Sequence, residues 1–316
     1  IRYFFYNGGG DSQDTTNKIS KFFKKKNYSL VCIGLPKTID NDLPITDNCP
    51  GFGSVAKYIA TSTLEASLDV KSMCETSTKV FILEVMGRHA GWLAASAGVI
   101  KEKTGDAPHL ILLPEIKFNQ SLFLKKVKET TLRYGYCVIV ASEGIKDGKN
   151  KFLSDSGLKD SFGHAQLGGV APILSSIINN KLKYKVHWAV SDYLQRAARH
   201  IASRVDVDQA YALGLESIKI AKTDINNIML TIKNDSTKQN YKWSISSTNL
   251  DNVANIEKML PKSFIKSNNF EITNSCKKYI LNLIQGEDYP TYQKGFPQYA
   301  KLKCKTIKKK LAPYKL

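Results

Sequence analysis

A chain of 316 residues, 42% hydrophobic and 23% charged, can bury a large core and falls within the globular range. It holds no apolar run near the ~20 residues that cross a bilayer, and the short apolar opening 1–7 lacks a signal-peptide layout, so a membrane partner and secretion are not expected. The net charge of +18 raises nucleic acid as a partner, but the lysines are spread along the chain; the denser groups at 24–26 and 308–310 close amphipathic stretches and read as solvated helix faces.

The run 1–7 reads as a strand and leads into Gly8-Gly9-Gly10-Asp11-Ser12. Consecutive glycines let backbone N–H groups approach a phosphate, although an ordinary tight turn has the same composition. A strand over 30–34 runs into Pro36-Lys37-Thr38-Ile39-Asp40-Asn41-Asp42, and a helix is predicted over 52–68. The strand 80–85 exits into Met86-Gly87-Arg88, ahead of a helix over 91–101. Then follow a strand at 109–113, a helix at 120–133, a strand at 136–141 that ends beside Glu143, a helix at 164–179, and a strand at 185–190 ahead of Tyr193-Leu194-Gln195-Arg196. From 224 onward the pattern changes: 228–232 and 241–246 alternate apolar with polar residues, as a half-exposed hairpin does. The remainder is Lys-rich and broken by Pro261, Pro290 and Pro297.

Short buried strands alternating with helices predict an α/β fold with mostly parallel, doubly wound sheets. Ligands collect there beyond the carboxyl ends of strands, which is where five of these loops fall. The loop 36–42 supplies what phosphoryl transfer needs: a cation, a carboxylate to take a hydroxyl proton, and a second carboxylate for a metal. A capping loop of the same composition is the structural alternative. Arg88 and Arg196 suit phosphate, and Glu143 suits sugar hydroxyls. No G-x-x-x-x-G-K-[ST] loop occurs, and Gly51-Phe52-Gly53-Ser54-Val55-Ala56 matches the loose dinucleotide fingerprint without a preceding strand, so it is discounted. The five histidines have no metal-ligand spacing; His109 and His164 read as structural. Six scattered cysteines without a C-x-x-C pair speak against zinc or disulfides and for a reducing cytoplasm.

The segments 36–42 and 84–88, with Ser142-Glu143-Gly144, Phe162-Gly163-His164-Ala165, 193–196 and 253–261 following in order, resemble the 6-phosphofructokinase family along nearly the whole chain. The resemblance implies two lobes with the first strands of the N-terminal lobe missing. The expected division is 1–110 for the remainder of the donor-binding lobe with the catalytic loop, 111–223 for the sugar-phosphate lobe, and 224–316 for a hairpin and Lys-rich extension packing back on them. It implies Asp40 as the base on the sugar 1-hydroxyl, Asp42 near Mg2+, and Thr38, Ile39, Met86, Gly87, Arg88, Glu143, Tyr193 and Arg196 around fructose 6-phosphate. Gly10 stands where the family has a metal-touching side chain. Lys79 and His187 stand where arginines reach a neighbouring subunit's sugar phosphate, which implies a homo-oligomer or a partner subunit. Gly8, Gly9, Gly10, Asp11, Ser12 and Lys37 would hold the donor. Asp11 and Lys37 together resemble the pyrophosphate-dependent branch, since a carboxylate at Asp11 repels the α-phosphate of a nucleotide. An ATP-dependent 6-phosphofructokinase and a non-catalytic sugar-phosphate-binding subunit remain as alternatives.

Overall fold

A computed structural model describes residues 1–155, 167, 169–237, 240–308 and 310–312. The strands are β1 (Tyr3–Gly8), β2 (Val31–Pro36), β3 (Val80–Val85), β4 (Leu110–Leu112), β5 (Cys137–Ser142), β6 (Val186–Val190), β7 (Ile228–Asn234) and β8 (Trp243–Asn249), with a short pair β9 (Tyr292–Gln293) and β10 (Phe296–Pro297) apart from the main sheets. The helices are α1 (Gly10–Lys25), α2 (Phe52–Met73), α3 (Trp92–Ser96), α4 (Gln120–Tyr134), α5 (Val170–Leu182), α6 (Asp192–Ala197), α7 (Arg204–Ala221) and α8 (Asn274–Leu283).

Two four-stranded sheets result, ordered β1-β2-β7-β8 and β4-β5-β3-β6. Every pairing within them is parallel except β7 with β8, so the doubly wound parallel expectation holds. Strand β5 is buried along its whole length, as its continuous apolar run requires of a strand covered on both faces. One face of the second sheet packs Leu83 and Ile111 against Phe52, Ile59, Leu93 and Ile280 of α2, α3 and α8. The other packs Ile82 and Ile139 against Phe123, Leu174 and Ile178 of α4 and α5. In the first sheet, Val31, Ile33 and Leu230 meet Leu213 of α7.

Sheet membership cuts across the expected segments. β3, from within 1–110, pairs with β5 and β6 of the second sheet. The hairpin β7–β8 completes the first sheet, β7 lying parallel to β2 with Ile33 opposite Ile228. The edge of β2 offers unpaired backbone groups that a hairpin satisfies better by pairing than by packing on a face.

The helix expected over 91–101 is α3 followed by a 3-10 turn, Ala97–Ile100. The expected helix over 164–179 is described from Val170, and the motif 162–165 lies outside the described residues. Helix α7 gave a mixed signal, because its buried face sets Asp206, Gln209 and Ser217 beside Leu213 and Ala221. These are structural: the Asp206 carboxylate accepts from Gly51 N (2.9 Å) and Ser54 N (3.1 Å), and Gln209 accepts from Asn48 Nδ2 (2.7 Å). Asp206 thereby occupies the N-terminus of α2, where the discounted glycine fingerprint would have put a phosphate.

Candidate active site

The glycine turn 8–12 and the acidic loop are locked together at the ends of β1 and β2. Gln13 Nε2 donates to Gly8 O (2.9 Å) and to Leu35 O (3.0 Å), and Lys37 N donates to Gly8 O (3.2 Å). Close approach demands glycine here: a Cβ on Gly34 would stand 1.9 Å from Gln13 Oε1, and one on Gly8 would stand 2.1 Å from Ser12 Oγ. Helix α1 starts at Gly10 with no side chain capping its first turn, and Gly10, Asp11 and Ser12 of that turn line the cavity, a placement that suits an anion.

The loop after β2 is packed by its own polar groups. Asn41 is fully buried with φ 53°. It accepts from Cys49 N (3.0 Å) and donates to Tyr279 Oη (3.0 Å), while Tyr279 donates to Asp47 O (2.7 Å). Thr38 Oγ1 accepts from Asp40 N (3.1 Å).

From the second sheet, Gly87 turns the chain at φ 126°, a conformation that favours glycine. Ser142 Oγ donates to Gly87 O, and Gly87 N donates to Glu143 Oε1 (3.3 Å). Gly144 allows the β5 exit to approach this turn: a Cβ there would lie 1.9 Å from Arg88 O. Gln195 of α6 accepts from Met86 N (3.4 Å).

All five predicted loops meet at one cavity of about 860 Å3, lined by Gly9, Gly10, Asp11, Ser12, Lys37, Thr38, Asp40, Asp42, Met86, Arg88, Glu143 and Arg196. Gly8, Ile39 and Gly87, also expected at the site, do not line the cavity; each adjoins a residue that does, and Ile39 packs partly buried against the core. Tyr193 is exposed, with Arg196 4.2 Å over its ring. Lys79 and His187 lie outside the cavity: the Lys79 ammonium donates to Cys74 O and Glu75 O beyond α2, and His187 is exposed on the edge strand β6. A sixth wall, formed by Asn255, Ile256 and Glu257 together with His89, carried no assigned role in the sequence. Its signal was a carboxylate in the segment leaving β8, at the end of a strand.

Burial pushes the Asp40 carboxyl up to about 7, helped by the charges of Asp42 and Glu143 and opposed by the Arg88 guanidinium. Burial likewise raises Asp42 and Glu143, the latter opposed by the Gly87 N–H. Asp42 Oδ1 is buried without a hydrogen-bond partner among the described residues, and no atom lies within 4 Å of where a Cβ on Gly10 would be. Among the described residues no three His, Cys, Asp or Glu side chains gather as a metal cage. One orphaned carboxylate oxygen in the cavity that the glycine turn also lines suits a divalent cation such as Mg2+, which takes one or two carboxylates and completes its shell with water and substrate phosphate.

A proton acceptor near neutrality, cations on facing walls and a helix N-terminus opening on the same space define a phosphotransferase site on a two-sheet α/β fold. The family described as Phosphofructokinase matches residues 1–221, and the chain belongs to it. It is 55% identical over 316 residues to a Halomonas elongata protein named pyrophosphate–fructose 6-phosphate 1-phosphotransferase, covering 100% of this chain and 75% of the relative. A crystal structure of a pyrophosphate-dependent phosphofructokinase from Nitrosospira multiformis superimposes with TM-score 0.91 at 50% identity, covering 100% of this chain and 75% of that one. The corresponding Marinobacter aquaeolei structure gives TM-score 0.89 at 54% identity over 99% of this chain and 75% of that one.

Proposed function

We propose that this chain transfers a phosphoryl group from pyrophosphate to the 1-hydroxyl of fructose 6-phosphate, giving fructose 1,6-bisphosphate and phosphate. The observation that carries this reading is the meeting of Lys37, Asp40 and Arg88 in one cavity. Arg88, Arg196 and Glu143 hold the sugar phosphate and its hydroxyls. Asp40 accepts the proton of the 1-hydroxyl as that oxygen attacks the nearer phosphorus of pyrophosphate, and the bridging P–O bond breaks to release phosphate. Lys37 and the first-turn N–H groups of α1 neutralise charge on the transferring and leaving groups. Asp42 would hold Mg2+, which would supply positive charge to screen the pyrophosphate oxygens. Because pyrophosphate and the sugar phosphate ester differ little in transfer potential, the reaction runs both ways.

The names of the relatives and the carboxylate of Asp11 at the donor end of the cavity support pyrophosphate over a nucleotide. Fructose 1,6-bisphosphate formation measured with each donor tests this: activity with pyrophosphate and little with ATP is expected, and the reverse preference overturns it. Asp11→Gly is expected to shift the preference towards ATP.

No helix among the described residues is long and apolar enough to cross a membrane, and all six cysteines carry free thiols; a cytoplasmic enzyme is the reading these thiols favour. The edge strand β6 and the start of α6 leave Trp188 and Leu194 46% and 68% exposed. A second copy covering this edge is the assembly we propose, with His187 and Lys79 then within reach of the neighbouring site.

A further inference from the structure

The segment 255–260 touches both halves of the cavity. Towards the acidic loop, Lys258 N donates to Asp42 O (2.6 Å), and the Lys258 ammonium donates to Thr46 O (3.0 Å) and Asp47 O (2.9 Å). Towards the arginine loop, Lys258 O accepts from Trp92 Nε1 (3.0 Å), and Nζ lies 5.4 Å from the centre of the Trp92 ring. Neighbouring residues repeat the pattern: Glu115 Oε1 accepts from both Gly91 N (2.9 Å) and Leu260 N (3.0 Å), and His89 Nδ1 lies 2.8 Å from Glu257 Oε1. Gly91 and Trp92 continue directly from the turn that carries Arg88. Lys258 therefore ties the loop leaving β2 of the first sheet to the loop leaving β3 of the second.

We infer that Lys258 is a positioning residue for phosphoryl transfer, holding Asp40 and Asp42 in register with Arg88; this rests on the reaction proposed above. Lys258 does not line the cavity, so it touches no substrate and acts through the loop. Its chemistry suits the place. Two carbonyl oxygens and an aromatic face all present negative charge to one point, which a compact ammonium satisfies together. A guanidinium cannot, because its donors are fixed in a planar fork. Both sides of the tie involve backbone atoms close to reacting side chains, so its loss moves Asp40 relative to the sugar. A displacement of about 1 Å costs on the order of 100-fold in rate.

The test uses Lys258→Met, which keeps the stem and the backbone bonds to Asp42 and Trp92 but removes the ammonium donors to Thr46 O and Asp47 O, and Lys258→Gln, which keeps a side-chain N–H donor and covers the case in which the first variant fails to fold. Wild type and variants are assayed for fructose 1,6-bisphosphate from pyrophosphate and fructose 6-phosphate, and backbone hydrogen exchange is followed over 38–49. The expected result for Lys258→Met is a kcat lowered roughly 30- to 100-fold with the fructose 6-phosphate KM within about threefold of wild type. Exchange over 40–48 rises, that of β5 stays unchanged, and Lys258→Gln falls between. A variant with wild-type kcat, or with unaltered exchange over 40–48, overturns the role of Lys258. So does a uniform loss, in which kcat, both KM values and Tm all worsen together. An inactive wild type instead overturns the reaction itself.

Discussion

On the proposed mechanism, Asp40 faces opposite requirements in the two directions of the reaction. Forward transfer needs its carboxylate to accept a proton, whereas the reverse needs its acid form to return one to the departing sugar oxygen. With the carboxyl raised to about 7 by burial and by Asp42 and Glu143, kcat/KM for fructose 6-phosphate is expected to fall as pH drops through about 7. The reverse reaction is expected to fall as pH rises through the same value. Profiles in both directions that share one limb on the same side would refute this. Asp40→Asn is expected to lower kcat by about 10^2- to 10^4-fold while raising stability. A buried carboxyl whose folded pKa lies above its ordinary value disfavours the fold when charged, and protonation between about 7 and 3.8 relieves that cost. The Asn variant should therefore gain on the order of 2 kcal/mol at pH 8 by denaturant unfolding, with the gain shrinking as pH falls below 7.

Among the elements, β4 and β5 are joined through a neutral imidazole. His109 Nδ1 accepts from Val138 N (3.0 Å), and Nε2 donates to Gly105 O (3.1 Å). Burial lowers its pKa from 6.5 to about 4. The folded protein then binds its proton less readily than the unfolded chain, so the stability it contributes is present above 6.5 and lost as pH falls towards 4. Unfolding curves of His109→Gln are expected to lie below wild type at pH 7.5 and to converge on it by pH 4.5; parallel curves would remove the imidazole from the account. At the β5 exit, Gly144→Ala drives a Cβ into Arg88 O, backbone that cannot yield as a side-chain tip does. It is expected to raise the fructose 6-phosphate KM at least about tenfold and to cost about 1–3 kcal/mol of stability, read from initial rates and thermal melts.

The whole molecule builds its site between two sheets, each giving two or more strand exits. One edge of the second sheet is β6, which exposes Trp188 and Val190, and Tyr193 and Leu194 of the following helix α6 are exposed as well. Contiguous apolar surface on a strand edge invites another chain. Trp188→Asp with Leu194→Asp is expected to convert the proposed homo-oligomer to monomers by light scattering and to weaken sugar-phosphate binding. An unchanged mass would place the interface elsewhere. The net charge of +18 draws polyanionic substrates from every side, so forward kcat/KM should decline as ionic strength rises from 0.01 to 0.15 M, measured by initial rates.

The alternation of apolar runs settled that parallel strands would be covered by helices, because a strand buried on both faces cannot hide its composition. The loops 36–42 and 84–88 were legible for a similar reason: their chemistry lies in consecutive residues at strand exits. Helix α7 was not, since its inward face uses Asp206 and Gln209 for hydrogen bonds that exist only after the chain has folded. The joining of β7 to β2, the bridge at Lys258 and the raised carboxyl of Asp40 were likewise left to tertiary structure. Each depends on groups far apart in the chain, on desolvation that local composition does not report, and on geometry that arises when two sheets close on one cavity.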